Sequence, residues 1–139
     1  IRNMLLTEKY KIGMRESVSK KITESDIDIF SKISGDKNPI HLSDDFANKT
    51  RFKKRIAHGY LSASLFSGIF GEKLPGPGCL YISQSLKFKY PVYINDIVTA
   101  TVEIIDIMAE KNILKFSTIC KVNKTTVIDG IAEIYLPKQ

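Results

Sequence analysis

The chain has 139 residues, 43% hydrophobic and 26% charged, enough for one ordinary domain with its own core; that balance excludes disorder, a collagen-like repeat or a disulfide scaffold. Lys and Arg total 21 against 15 Asp and Glu, and the formal net charge of +6 favours an anionic partner: nucleic acid, a membrane surface, an acidic carrier protein or the phosphates of a nucleotide-bearing thioester. Nucleic acid fits least, because there is no Trp, no zinc-ligand spacing, no RNA-binding sheet signature and no basic tract denser than Arg51-Phe52-Lys53-Lys54-Arg55.

In chain order, the opening Ile1-Arg2-Asn3-Met4-Leu5-Leu6 holds too short an apolar run for a signal peptide, and no stretch approaches the ~20 residues of a membrane span. A cytoplasmic protein is expected. A strand is expected around Tyr10 to Ile22. Thr23 is a suitable N-cap, with Asp26 as a short stand-in for the capping-box Glu, and Ile27, Phe30 and Ile33 recur at helical spacing; a helix over 24–34 follows. It stops at Gly35, where Gly35-Asp36-Lys37-Asn38-Pro39-Ile40-His41 begins. Ser43-Asp44-Asp45-Phe46-Ala47 reads as a short helix with an acidic first turn.

The stretch from Gly59 to Gly71 holds no charge, so the spacing predicts a helix buried on most sides, yet too short to cross a bilayer. Cys79–Tyr90, Ile97–Ile107, Ile113–Val122 and Thr126–Leu136 then read as four strands. In the second, Val98, Ala100, Val102 and Ile104 alternate with Thr99, Thr101 and Glu103. Glu110-Lys111-Asn112 and Asn123-Lys124 read as hairpin connections, and Asp129-Gly130 as a bulge. Cys79 and Cys120 fall in different strands without metal-ligand spacing and read as reduced thiols. Hairpin-linked strands after one apolar helix predict an α+β hot-dog arrangement, an antiparallel sheet curled around that helix.

Gly35 and Pro39 keep the intervening run out of regular helix, so the carboxylate of Asp36 and the imidazole of His41 can be aimed at one point. Such a pair can hold and activate water. Taken singly, Asp36 is a turn residue, Asn38-Pro39 a turn starter and His41 a surface or core histidine. Together they resemble the signature of the MaoC-like, or R-specific, enoyl-CoA hydratases, Gly/Glu-Asp-x-Asn-Pro-x-His with an acyl-binding helix downstream. The resemblance runs from the Thr23 helix to Leu136.

It implies one hot-dog domain over residues 1–139, paired as a homodimer. Its activity would be reversible hydration of trans-2-enoyl-CoA to (R)-3-hydroxyacyl-CoA, with no metal and no redox cofactor. Asp36 and His41 would be the catalytic pair, with Asn38 beside them in the pocket. Ser67 would line the pocket and assist, and His58 would orient its neighbours. Bulky Leu, Ile and Phe residues on the uncharged helix favour short acyl groups.

His58-Gly59 opens that helix, so its first N–H groups point out with the positive helix end, and a thioester oxygen could sit against Gly59; the plain alternative is a glycine easing the chain into the helix. Lys53, Lys54, Arg55, Lys87 and Lys89 are candidates for coenzyme A phosphates, the last two on one outward strand face. Two rival functions remain. A hot-dog thioesterase would want an acid on the central helix, where Gly59 to Gly71 has none, and a non-catalytic acyl-thioester binding module would not need the intact Asp36–His41 pair.

Overall fold

The computed structural model describes residues 2–138, with only the backbone of Arg2 to Leu5; Ile1, the first residue of the segment expected to hold no signal peptide, lies outside the described residues. Helix α1 (Arg2–Lys9) leads to strand β1 (Arg15–Lys21). The strand starts later than Tyr10 because Gly13, at φ 96°, turns the chain and donates its N–H to Ile104 O at 2.9 Å. Tyr10 itself enters the core.

Helix α2 (Glu24–Ser34) starts at Thr23, whose hydroxyl accepts from the Asp26 N–H while the Asp26 carboxylate accepts from the Thr23 N–H. The expected capping box is present. Two short helices follow, α3 (Pro39–Leu42) and α4 (Asp44–Asn48), the second capped by Ser43. Then come the long helix α5 (Gly59–Glu72) and strands β2 (Leu80–Gln84), β3 (Lys87–Phe88), β4 (Ile97–Met108), β5 (Ile113–Val122) and β6 (Thr125–Tyr135).

The strands form one antiparallel sheet in the order β1-β4-β5-β6-β2, with β3 also on β6. Its inner face is written in the alternation of β4 and β5: Val98, Ala100, Val102 and Ile104 are fully buried, as are Leu114, Phe116, Thr118 and Cys120. Against them α5 lays Ser62, Ala63, Phe66, Ile69 and Phe70, an apolar stripe at helical spacing. Burying a side chain such as Phe66 stabilises the fold by about 1.5–3 kcal/mol.

The sheet covers only one side of α5. Tyr60, Ser64, Ser67 and Gly68 form an exposed stripe along the other, where burial on most sides was expected. The stretch 79–90 is two strands rather than one, because the backbone at Ser85 crosses over Gly130: a Cβ at Gly130 would lie 1.8 Å from Ser85 O. Gly130 is therefore needed for close backbone approach and is not a bulge residue. Asp129 and Gly130 pair regularly with Ile119 and Thr118, and the extra residue is Val127, between the pairs Cys120–Ile128 and Lys121–Thr126.

Candidate active site

The site begins where α2 ends. Gly35 takes the left-handed conformation, φ 77°, and its N–H caps Ser31 O at 2.9 Å. The next residues are tied locally: Asp36 Oδ1 accepts from the Asn38 N–H at 3.1 Å, and Asn38 Oδ1 accepts from the Ile40 N–H at 3.2 Å. Asn38 is thus the N-cap of α3, with Pro39 in its first turn, and its side-chain oxygen is engaged in this capping bond beside Asp36. Asp36 is a turn residue as well as a site residue.

One turn into α3 the His41 side chain is buried, and its Nδ1 lies 2.7 Å from Ile56 O. A carbonyl has no proton to give, so Nδ1 carries the hydrogen and Nε2 of the neutral ring is a bare base. That Nε2 is 3.8 Å from Asp36 Oδ2, the carboxylate oxygen not held by Asn38. At that separation a single water could hydrogen-bond to both. Burial lowers the His41 pKa below 6.5, and the neighbouring His58 adds to this; the hydrogen bond to Ile56 O and the Asp36 charge oppose it. At neutral pH His41 is a base with no proton on Nε2.

His58 backs the pair. Its ring stacks on His41 with centroids 3.9 Å apart, and its Nε2 reaches Asp36 O at 3.0 Å and Ser31 Oγ at 3.2 Å. Ser31 carried no signal in the sequence, since a serine inside a helix reads as an ordinary small residue. Donor atoms of Asp36, His41 and His58 lie within 4.8 Å of one another, close enough to suggest a metal. Stacked rings, however, point their in-plane lone pairs side by side rather than at a common centre, and His58 Nε2 is committed to Asp36 O. The trio does not fit a metal well.

His41 lines a cavity of about 290 Å³ with Phe52, Ile56, Gly59, Phe88 and Val92 among its walls. Its walls are mostly apolar, with Arg51 and Tyr60 at the edge. Gly59 is there, as expected, but a side chain on it would first meet Phe88, whose Cδ1 would be 2.4 Å from a Cβ. Phe88, Tyr60 and Arg51 were not singled out from sequence, because only β3 folding back over the start of α5 brings the two aromatic rings together, 5.5 Å between centroids. Ser67 does not reach this cavity and lies on the exposed stripe of α5.

The basic candidates divide. Arg55 is buried, with its guanidinium against Glu24, its Nε 3.0 Å from Asp44 Oδ1 and its Nη1 donating to Leu42 O at 3.3 Å; it joins α2, α3 and α4 and is not presented to a phosphate. Lys53 and Lys54 are exposed on the loop beside the cavity, with Lys54 Nζ 4.8 Å from the centre of the Tyr93 ring. Lys87 pairs in register with Asp129, and Lys89 makes an ion pair with Asp129 at 2.9 Å. Since Phe88 turns inward to Gly59, both lysines point to the opposite face of the sheet. The one acid of α5, Glu72, is its last residue, about 20 Å along the axis from Gly59, so no helix acid serves the His41 cavity as a thioesterase would require.

The family model described as "MaoC like domain" matches residues 8–129. An (R)-specific enoyl-CoA hydratase from Rhodospirillum rubrum is 48% identical over 130 residues, covering 94% of this chain and 90% of that protein. A 3-hydroxybutyryl-CoA dehydratase from Methylorubrum extorquens is 43% identical over 136 residues, covering 98% and 87%. Among solved structures, an (R)-hydratase from A. caviae involved in PHA biosynthesis superposes with a TM-score of 0.91 at 38% identity, over 94% of this chain and 100% of that one.

Proposed function

Since the chain belongs to the MaoC-like domain family, we propose that it is a hydro-lyase that reversibly hydrates trans-2-enoyl-CoA to (R)-3-hydroxyacyl-CoA, with short acyl chains preferred. One observation carries the assignment of the chemistry: Asp36 Oδ2 and His41 Nε2 are the two unoccupied atoms of otherwise fully held side chains, and they face each other at 3.8 Å.

A water between them loses one proton to His41 Nε2 as its oxygen adds to the β-carbon of the enoyl thioester. The alkene electrons move onto the thioester carbonyl. The proton then passes from Nε2 to the α-carbon on the same face, so one water is consumed, His41 returns to its neutral form and Asp36 stays a carboxylate throughout. Asp36 orients the water and stabilises the imidazolium between the two steps. The N–H groups at the start of α5, which have no partner inside the helix, would receive the enolate oxygen beside Gly59. No step needs a metal or a redox cofactor.

Arg51, Lys53 and Lys54 would meet the coenzyme A phosphates at the cavity mouth. A homodimer completes the molecule: the exposed stripe of α5, with Tyr60 64% exposed, and the outer residues Leu80 at 52% and Ile82 at 49% form apolar surface that a second copy would cover. Ser67 would join a site only in that pair. Among the described residues no helix is long and apolar enough to cross a membrane, and the assigned location is the cytoplasm.

Crotonyl-CoA is the test substrate. Loss of its enoyl absorbance without release of free thiol, giving the (R)-3-hydroxy product on chiral analysis, is expected. Release of thiol would instead make the protein a thioesterase, and binding without turnover would make it an acyl-thioester module.

A further inference from the structure

Helix α3 carries His41 but has only four residues, too few for a helix to be stable by itself. Its last carbonyls lack partners inside the helix, so whatever takes them also sets where the imidazole points. The neighbouring residues Arg55 and Ile56 do this. Ile56 N–H donates to Ile40 O at 3.2 Å, His41 Nδ1–H donates to Ile56 O at 2.7 Å, and Arg55 Nη1 donates to Leu42 O at 3.3 Å. The segment is anchored in turn by Ala57 N–H on Val92 O at 2.7 Å. Arg55 extends the grip beyond α3: its buried guanidinium pairs with Glu24 in the first turn of α2 and, through Nε at 3.0 Å, with Asp44 in the first turn of α4.

We propose that Arg55 is a positioning residue for the Asp36–His41 pair: its guanidinium clamps the end of α3 to the start of α2 and so keeps His41 Nδ1–H on the Ile56 carbonyl. Helix α2 leads through Gly35 to Asp36, so one buried cation joins the helix before the carboxylate to the helix that bears the base. It touches no reacting atom. A planar guanidinium can serve three acceptors on three elements at once, which a single ammonium cannot match. Without the clamp Leu42 O loses its donor, α3 is held to this segment through Ile56 alone, and the bond from His41 Nδ1 loosens. A ring freed from Ile56 O no longer keeps its hydrogen on Nδ1, and each ring with hydrogen on Nε2 has no lone pair to offer a water beside Asp36 Oδ2. The two acids are 61% and 86% exposed, so removing Arg55 leaves them in water and strands no buried charge.

The clamp rests on the reading of Asp36 and His41 as the working pair, but its first test needs no substrate. The chain has 2 histidines, so a ¹⁵N spectrum of the untagged protein at mildly alkaline pH shows each ring separately. The wild type is expected to carry the His41 hydrogen on Nδ1. In Arg55→Met the His41 signals move towards a tautomer mixture, and kcat for crotonyl-CoA falls about five- to tenfold, the rate equivalent of one net hydrogen bond, while KM stays nearly constant. Crotonyl-pantetheine, which lacks the nucleotide phosphates, loses the same factor. Arg55→Lys keeps the charge beside both acids, gives a smaller change in the same direction, and stands in if the methionine variant does not fold. Hydrogen on Nε2 of His41 in the wild type overturns the clamp. So does a folded Arg55→Met or Arg55→Lys protein whose His41 signals or kcat are unchanged. A defect confined to crotonyl-CoA and to KM also overturns it, since the guanidinium would then be serving phosphate. Absence of crotonyl-CoA turnover in the wild type would refute the assigned activity and leave the spectrum to decide the clamp alone.

Discussion

Asp36 and His41 are held at every polar atom except the two that face each other, and this division of labour makes their roles testable one at a time. Asp36→Asn keeps the turn, since an amide oxygen still accepts from the Asn38 N–H, but removes the charge opposite Nε2. His41→Ala removes the base. Each is expected to lower kcat by roughly 10²- to 10⁴-fold in a crotonyl-CoA assay while the circular dichroism spectrum is retained. The pH profile separates them further. Because burial lowers the His41 pKa, the ring stays neutral to a pH below 6.5, so the acid limb of kcat/KM is expected below 6.5, and a limb above it would mean that another group is the base. Stability shifts in the same window: between the folded and unfolded pKa values the unfolded chain binds more protons, so the stability held above pH 6.5 declines as pH falls through it. At this scale the motif was legible because Gly35, Asp36, Pro39 and His41 act through local geometry. The capping role of Asn38 was not legible, since an asparagine before proline can cap or face a site with the same spacing, and Ser31 was invisible because only the folded chain brings α2 against His58.

The elements whose ends are written locally were read correctly. Thr23 and Asp26 state the start of α2, and Gly35 its end. Thr23→Ala is expected to cost about 1 kcal/mol in denaturant unfolding, the usual value of an N-cap, with activity largely kept. Elements set by contacts distant in sequence were not legible. Nothing in Cys79–Tyr90 shows that Ser85 must pass over Gly130, and nothing in β6 shows that Val127 is the extra residue. The glycine that looked like a bulge is instead a crossing point. Gly130→Ala is expected to destabilise by about 1–3 kcal/mol and to disturb β3, which sets Phe88 over Gly59; a variant as stable as wild type would show that the crossing yields easily.

For the molecule as a whole, one period-two strand and one uncharged helix were enough to predict a sheet packed on a helix. What the sequence could not say was that one chain covers only half of that helix. An uncharged helix reads the same whether its second side is covered by the same sheet or by another copy. Sedimentation is expected to give twice the chain mass, and Ser67→Arg, which places a charge in the exposed stripe, to shift the protein towards monomer. A wild-type monomer would show that this apolar face serves something else.

The central claim is that one water, held between Asp36 and His41, adds across the double bond from a single side. Hydration of crotonyl-CoA in deuterium oxide, followed by stereochemical analysis of the product, addresses it directly. A single deuterium at the α-carbon, on the same face as the new hydroxyl, is the expected result. Deuterium on the opposite face would mean that the proton comes from a group outside this pair, and would contradict the account.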